Sequence, residues 1–280
     1  MIAASICWSF GGLCIKFIPW GAMSIIGIRA LLAAVVFAIY RRSLKIDFTF
    51  GNIMGAICLS ATTVLFVFSN KLTTAAAAIL LQFTAPIFII LIELVFLRKK
   101  PAAGALVAVS ATILGMLLFF ADHLETGNLL GNILAIASGL SFAGVFVCNK
   151  MPDADPNQAL FLGFIINAVI GTPFIFIESA SGSMAWVAAV FLGTVQVGLA
   201  YVFFSIGIRR TPALLACLIT AMEPVLNPVW VLLAGLIGAL PQLEVPGLFA
   251  LCGGAVIIVS VVSYNIWVEK RSHSVGTDPR

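Results

Sequence analysis

The feature that most constrains this chain is its punctuation. Apolar stretches of about twenty residues, the length needed for a helix to cross a bilayer, follow one another from end to end with only short polar clusters between them. Ten runs can be drawn, over residues 2–18, 22–40, 49–69, 74–97, 102–120, 128–149, 158–178, 184–207, 212–236 and 245–267. Between them lie clusters such as Pro19-Trp20-Gly21, Arg41-Arg42-Ser43-Leu44-Lys45, Arg98-Lys99-Lys100-Pro101 and Arg209-Arg210-Thr211-Pro212. In hydrocarbon only helices and closed barrels satisfy their own backbone. Barrel strands would alternate apolar and polar side chains over roughly ten residues, and these unbroken runs do not. The expected fold is an all-α polytopic membrane protein with ten transmembrane helices.

Composition removes the competing classes. Of the 280 residues, 62% are apolar and only 9% charged, against about one quarter charged in an average soluble domain. Too few ionic side chains remain to coat a water-facing surface, which excludes an ordinary soluble enzyme, a disordered chain and a nucleic-acid-binding domain. The partners expected are the lipid bilayer and a small-molecule substrate, with no nucleic acid. Residues 2–18 carry no basic leader, so they read as a retained span rather than a cleaved signal. A native start upstream of Met1 stays open.

Charge placement orients the spans. With the N-terminus inside, the cytoplasmic loops and tail hold twelve Lys and Arg: Arg41, Arg42, Lys45, Arg98, Lys99, Lys100, Lys150, Arg209, Arg210, Lys270, Arg271 and Arg280. The outer loops hold two, Lys16 and Lys71, while Asp122, Glu125, Glu178 and Glu244 fall outside. Both termini are expected in the cytoplasm of a cell whose cytoplasmic membrane the chain spans.

Sliding the chain on itself by 138 residues sets Gly55 on Gly193, Lys71 on Arg209, Thr73 on Thr211, Ala75 on Ala213, Ala78 on Ala216, Leu80 on Leu218 and Pro86 on Pro224. The shared pattern is a span, a basic-x-Thr turn, then a span with a proline thirteen residues after the threonine. Spans 3–4 thus correspond to spans 8–9, which divides the chain into two halves of five. Five is odd, so the second half is inverted relative to the first. The boundaries are 1–121 for the first five-helix repeat, 128–267 for the second, and 268–280 for a cytoplasmic tail. Inverted halves are typical of secondary transporters, whose substrate site lies near the midplane between them.

Ionised side chains are costly at mid-bilayer, about 2.5–3.5 kcal/mol on insertion scales. Glu223 lies mid-span, followed by Pro224 and, one turn on, Asn227-Pro228. The prolines leave the carbonyls of Thr220 and Pro224 without their usual helical donors. Glu223 reads as a substrate or proton site, or as a neutral or paired group that stabilises the helix break. It is the candidate for proton coupling, because a buried carboxyl is costlier to ionise than an exposed one. Pro86 is its counterpart in span 4, with Gln82 one turn earlier. Cavity-lining candidates are Trp8, Ser9, Thr63, Gln82, Gln196, Tyr201, Glu223 and Asn227. Thr62, Thr84, Asn149 and Asn167 are further polar positions inside spans. Pro86, Pro224 and Pro228 are the expected helix-break and gating positions. Glu93 reads as an interfacial partner of Arg98–Lys100. Arg29 can snorkel outward, pair with a carboxylate or contact an anionic substrate, and a structural role is the simplest of these.

Small-residue stripes at Gly104, Ala108, Ala111 and Gly115, and at Ala250, Gly253 and Gly254, let helices approach closely. They read as helix packing or a subunit contact, which leaves a homodimer open. The six cysteines sit in apolar runs without metal-ligand spacing. Neither a metal nor a cofactor is indicated, and no catalytic residues are assigned.

Taken in order, Trp8-Ser9-Phe10-Gly11, Arg29-Ala30-Leu31-Leu32-Ala33-Ala34, Thr74-Ala75-Ala76-Ala77-Ala78 running to Pro86, and Glu223-Pro224 resemble the EamA family of the drug/metabolite transporter superfamily. The resemblance implies a cytoplasmic-membrane carrier, often an exporter of amino acids or other small metabolites, driven by an ion or proton gradient through alternating access. It also implies a cavity lined by spans 1, 3, 4, 6, 8 and 9, near Trp8, Gln82 and Glu223. The family's Gly-Glu after spans 4 and 9 is replaced here by Arg98-Lys99 and Gly238-Ala239, so no role of that glutamate transfers. Two alternatives stand beside this reading: a multidrug or nucleotide-sugar carrier of the same superfamily, and an integral-membrane enzyme that modifies lipids.

Overall fold

A computed structural model describes residues 1–11, 14, 18–96, 98–123, 128–177, 182–236 and 247–276. Lys16, Glu125, Glu178, Gly238, Ala239, Glu244 and Arg280 lie outside the described residues. Within them there is no strand, and eight helices are long and apolar enough to cross a membrane. The chain is a multi-pass membrane protein. Its helices are α1 (Ile2–Ser9), α2 (Ala22–Arg41), α3 (Phe50–Leu72), α4 (Ala75–Gln82), α5 (Ala85–Val95), α6 (Ala103–Phe119) and α7 (Leu129–Cys148). They continue with α8 (Pro156–Ile175), α9 (Ser183–Phe191), a π-helical segment over Leu192–Leu199, α10 (Ala200–Arg210), α11 (Ala213–Thr220), α12 (Met222–Leu236) and α13 (Leu248–Gly276).

Side-chain caps start several of these helices where the loops end. Thr49 accepts from the Asn52 amide, Thr74 from Ala77, Asn128 from Leu130 and Gly131, and Asp155 from Asn157, each satisfying backbone donors that a helix N-terminus leaves open. The fourth and ninth spans break where proline removes a donor. Span 4 divides into α4 and α5 at Phe83-Thr84, just before Pro86, and span 9 divides into α11 and α12 at Ala221, before Pro224. Pro228, expected to add a second break, stands inside α12, which continues through it. The last helix runs past residue 267 to Gly276, although the apolar run stops earlier. Val268, Glu269, Lys270 and Arg271 end the hydrophobicity but include no helix breaker.

The helix ends recur at the 138-residue displacement: Leu72 with Arg210, Ala75 with Ala213, and Gln82 with Thr220 each close or open a helix. The principal contacts also exchange with themselves when each span is replaced by the one five places on. Span 2 packs on 7, 4 on 9 and 5 on 10; span 3 lies on 6 as 8 lies on 1, and 3 on 7 as 8 on 2. Gly115 and Gly253, 138 positions apart, meet each other: a Cβ on Gly253 would lie 2.5 Å from the Gly115 carbonyl oxygen. The stripes at Gly104, Gly115, Gly253 and Gly254 thus serve packing within the chain, Gly104 lying against the Trp267 ring and Gly254 against Val225.

The loops after α2, α7 and α10 meet at one end of the bundle. There Thr49 Oγ1 donates to the Asp153 carbonyl (2.7 Å), the Asp155 amide donates to Asn52 Oδ1 (2.7 Å), and Arg209 pairs with Asp155 (2.5 Å). At the other end, Ser69 donates to the Gly131 carbonyl, Thr73 to Asn132, and Trp20 meets Trp186 at 4.8 Å.

Candidate functional site

Near mid-span, α2, α3, α8 and the eighth span enclose a small cavity. Its wall includes Arg29 from α2, Thr63 from α3, Asn167 from α8, and Tyr201 just after the π-helical segment. Asn167 is held by its Oδ1, which accepts from Ser60 at 2.7 Å, and its amide nitrogen is left for the cavity. The Thr63 hydroxyl donates to the Leu59 carbonyl. Apolar wall is supplied by Ile26, Leu59, Phe164 and Val197.

Glu223 lies deep in the bundle within electrostatic reach of both Arg29 and Tyr201. All three keep part of their surface accessible while protein surrounds them. Arg29 belongs to the first half of the chain and Glu223 to the second, so a basic and an acidic side chain from the two halves lie within electrostatic reach of each other. Among the described residues, the side chain of neither takes part in a hydrogen bond or an ion pair.

An aromatic cluster borders this region. Trp8 contacts Tyr201 edge to face at 4.9 Å, Tyr201 contacts Phe164 at 5.3 Å, and Phe204 lies between Trp8 and Phe146. Gln196 donates from Nε2 to the Trp8 carbonyl at 3.0 Å, while its Oε1 and the Trp8 indole nitrogen are both buried without a partner. Ser9 accepts from the Trp230 indole at 2.7 Å, and Trp230 stacks on Phe10 at 4.5 Å. These contacts bind the first span to the eighth and ninth.

The structure therefore gathers Trp8, Thr63, Gln196, Tyr201 and Glu223 around one region, with Ser9 joined to it through Trp230. Gln82 goes elsewhere. Its Nε2 donates to Ser138 Oγ at 2.8 Å, and Ser138 donates to the Thr62 carbonyl at 3.1 Å, at the junction of α3, α4 and α7. Gly139 presses onto the same break, where a Cβ would lie 2.7 Å from the Gln82 carbonyl oxygen. Asn227 is half-buried on α12, and nothing ties it to the cavity. The break in the ninth span is met by Ser5, which donates to the Ile219 carbonyl. Sequence reasoning ranked Arg29 as structural and passed over Phe164 and Trp230. A charge inside a span was the available signal for Arg29; no signal separated Phe164 from the other phenylalanines of the apolar runs.

A family description, the EamA-like transporter family, matches residues 1–121 and 129–266. A protein named only as an uncharacterized transporter, from Archaeoglobus fulgidus, is 29% identical over 192 residues, which cover 68% of this chain and 67% of the relative. The uncharacterized transporter YwfM of Bacillus subtilis is 25% identical over 182 residues, covering 61% of this chain and 60% of that protein. A solved crystal structure superposes with a TM-score of 0.80 at 17% identity, over 95% of this chain and 96% of the other; it bears on the fold alone.

Proposed function

The chain belongs to the EamA-like transporter family, and from that premise we propose that it is a secondary active transporter of the cytoplasmic membrane. Two inverted five-helix halves move small metabolites, amino acids among them, out of the cell by alternating access, with both termini in the cytoplasm and no catalytic step. The observation that carries this reading is the mid-span cavity walled by both halves, with Arg29 on one half and Glu223 near it on the other. The self-exchanging contacts and the Gly115–Gly253 crossing support the halves as related by a twofold axis in the membrane plane. The meeting of the basic loops after α2, α7 and α10 at one end supports the orientation.

In this mechanism Glu223 exchanges a proton with the cavity as the halves rock. Neutral, it leaves Arg29 as the cavity's net charge; ionised, it balances Arg29. Such a switch changes the affinity of the site for charged cargo without any change of fold. The breaks before Pro86 and Pro224 act as hinges, because each proline withholds a donor from the helical ladder there, while Ser5 donates to the Ile219 carbonyl beside the second break. Flux in proteoliposomes under an imposed pH gradient tests the assignment. Glu223→Gln is expected to retain counterflow but lose its pH dependence. Unchanged pH-dependent flux removes Glu223 from coupling, and absence of counterflow by the parent protein removes the carrier reading.

A further inference from the structure

The fifth and tenth spans meet along a closed seam and leave a hollow beside it. Ser260 Oγ donates to the Ala108 carbonyl at 2.9 Å and lies 3.1 Å from the Thr112 hydroxyl, and Gly104 lies against the Trp267 ring. The hollow between α6 and α13 measures about 590 Å³, within the range of about 300–1,000 Å³ that ligand pockets occupy. Small residues on α6 make the room, at Gly104, Ala108 and Ala111; larger side chains at that spacing would fill it. Val107 and Val259 line the hollow and are exposed, so it opens outward toward lipid. It shares no lining residue with the mid-span cavity at Arg29.

The length of this groove matches one leaflet. On α13 it runs from Ala255 to Trp267, about 18 Å at the helical rise, against about 15 Å for half of the hydrocarbon core. One end is apolar and the other is not. Tyr264 and Trp267 stack there at 5.7 Å, a pair of the kind found at the membrane–water boundary, and the Arg271 guanidinium lies over the Trp267 ring at 5.2 Å. Arg98, Lys99 and Lys100 lead into α6, whose first turn holds Gly104. Lys99 is within electrostatic reach of Glu93, and both Glu93 and Arg271 are within reach of Tyr264. With Lys270, five basic side chains stand at this end of the two helices against the acidic Glu93 and Glu269. A groove one leaflet deep, apolar within and basic at its mouth, complements an amphiphile with an apolar tail and an anionic head. A second copy of the chain fits it poorly, because a twofold contact sets the same face against itself, and two opposed hollows would enclose a void. We infer that the groove between α6 and α13 holds one acyl chain of an anionic phospholipid, whose phosphate is met by Lys99 and Arg271. The site does not depend on the carrier reading; it takes from the orientation proposed above only that the leaflet concerned is the cytoplasmic one.

The test is native mass spectrometry of the full-length protein in detergent, titrated with palmitoyl-oleoyl phosphatidylglycerol or with phosphatidylethanolamine of the same chains. The parent is expected to retain one phosphatidylglycerol per chain, about tenfold or more tightly than phosphatidylethanolamine, since each basic group near the membrane surface adds to the attraction for anionic lipid. Replacing Lys99→Gln together with Arg271→Gln is expected to reduce that preference to about twofold or less and to leave phosphatidylethanolamine retention unchanged. Ala111→Phe and Ser263→Phe fill the groove from opposite helices, and each is expected to weaken both lipids about tenfold or more, as a displaced apolar chain requires. Ser263 is exposed, so Ser263→Phe is expected to melt with the parent in lipid-free detergent and reports on the groove without Ala111→Phe. Equal retention of the two lipids, a preference that survives the double substitution, unchanged retention in Ser263→Phe, or spectra dominated by a lipid-free protein dimer would each overturn the proposal. Counterflow keeps the two readings apart: its absence defeats the carrier and leaves this site standing, whereas the four outcomes just named defeat the site and leave the carrier standing.

Discussion

The crossing of α2 over α8 is the tightest point near the cavity and gives a sharp stability prediction. A Cβ added at Gly27 would lie 2.3 Å from the Gly171 carbonyl carbon, 2.5 Å from the Thr172 nitrogen and 2.6 Å from the Gly171 oxygen. All three neighbours are backbone atoms, so no rotamer change relieves the clash. Ordinary contact begins at 3.4 Å, which means the two helices must part by about 1 Å and forfeit a substantial share of the dispersion energy along the seam. Inserting a methyl into a filled interior usually costs about 1–3 kcal/mol, and rigid neighbours place Gly27→Ala at the upper end. For a chain of this size that is a fall of about 4–10 °C in melting temperature, readable by fluorescence-monitored unfolding in detergent. Gly171→Ala meets the Gly27 nitrogen at 2.4 Å and should cost a similar amount. Once one methyl has parted the helices, the second finds room, so the double variant should be well short of additive. Arg29 and Asn167 sit beside this crossing on α2 and α8, so transport should fall in step. A Gly27→Ala variant that melts with the parent, or a strictly additive double variant, would show that the helices are not in backbone contact there.

Three further outcomes are expected. Ser138→Ala removes both the partner of Gln82 and the donor to the Thr62 carbonyl, and should destabilise by about 1–3 kcal/mol in chemical or thermal unfolding, since buried polar groups lose their partners. Asp155→Asn weakens a half-exposed pair with Arg209 and should change stability by about 1 kcal/mol or less, measured by the same unfolding assay. Trp230→Phe keeps an aromatic ring against Phe10 but loses the 2.7 Å donation to Ser9, and should cost about 1 kcal/mol together with a loosened first span, seen as faster amide exchange at Ser5–Ser9.

The span order, the breaks before Pro86 and Pro224, and the 138-residue correspondence were legible because they depend on local chemistry: long apolar runs, missing donors, repeated turns. The site was legible only in part. Trp8, Tyr201 and Glu223 stand out as polar or amphipathic groups in lipid, but whether such a group finds a partner is a matter of three-dimensional packing. Gln82 had the right depth and the right symmetry, yet Ser138 on α7 takes it out of the cavity. Arg29 looked like a residue that would pair with a carboxylate, and it lies within electrostatic reach of Glu223 without a side-chain hydrogen bond or ion pair to it. The tail reads as polar by hydropathy, but its helix propensity is independent of that, so α13 continues into it as far as Gly276.

The winding of the eighth span carries a consequence of its own. Residues five apart on an ordinary α-helix diverge by well over a right angle, yet Gln196 and Tyr201 both reach Trp8. The wider turns over Leu192–Leu199 make this alignment: they hold surplus chain, as rope holds slack between two fixed cleats. Both grips on a single tryptophan thus depend on those turns: a uniformly α-helical eighth span would turn Gln196 and Tyr201 toward different neighbours.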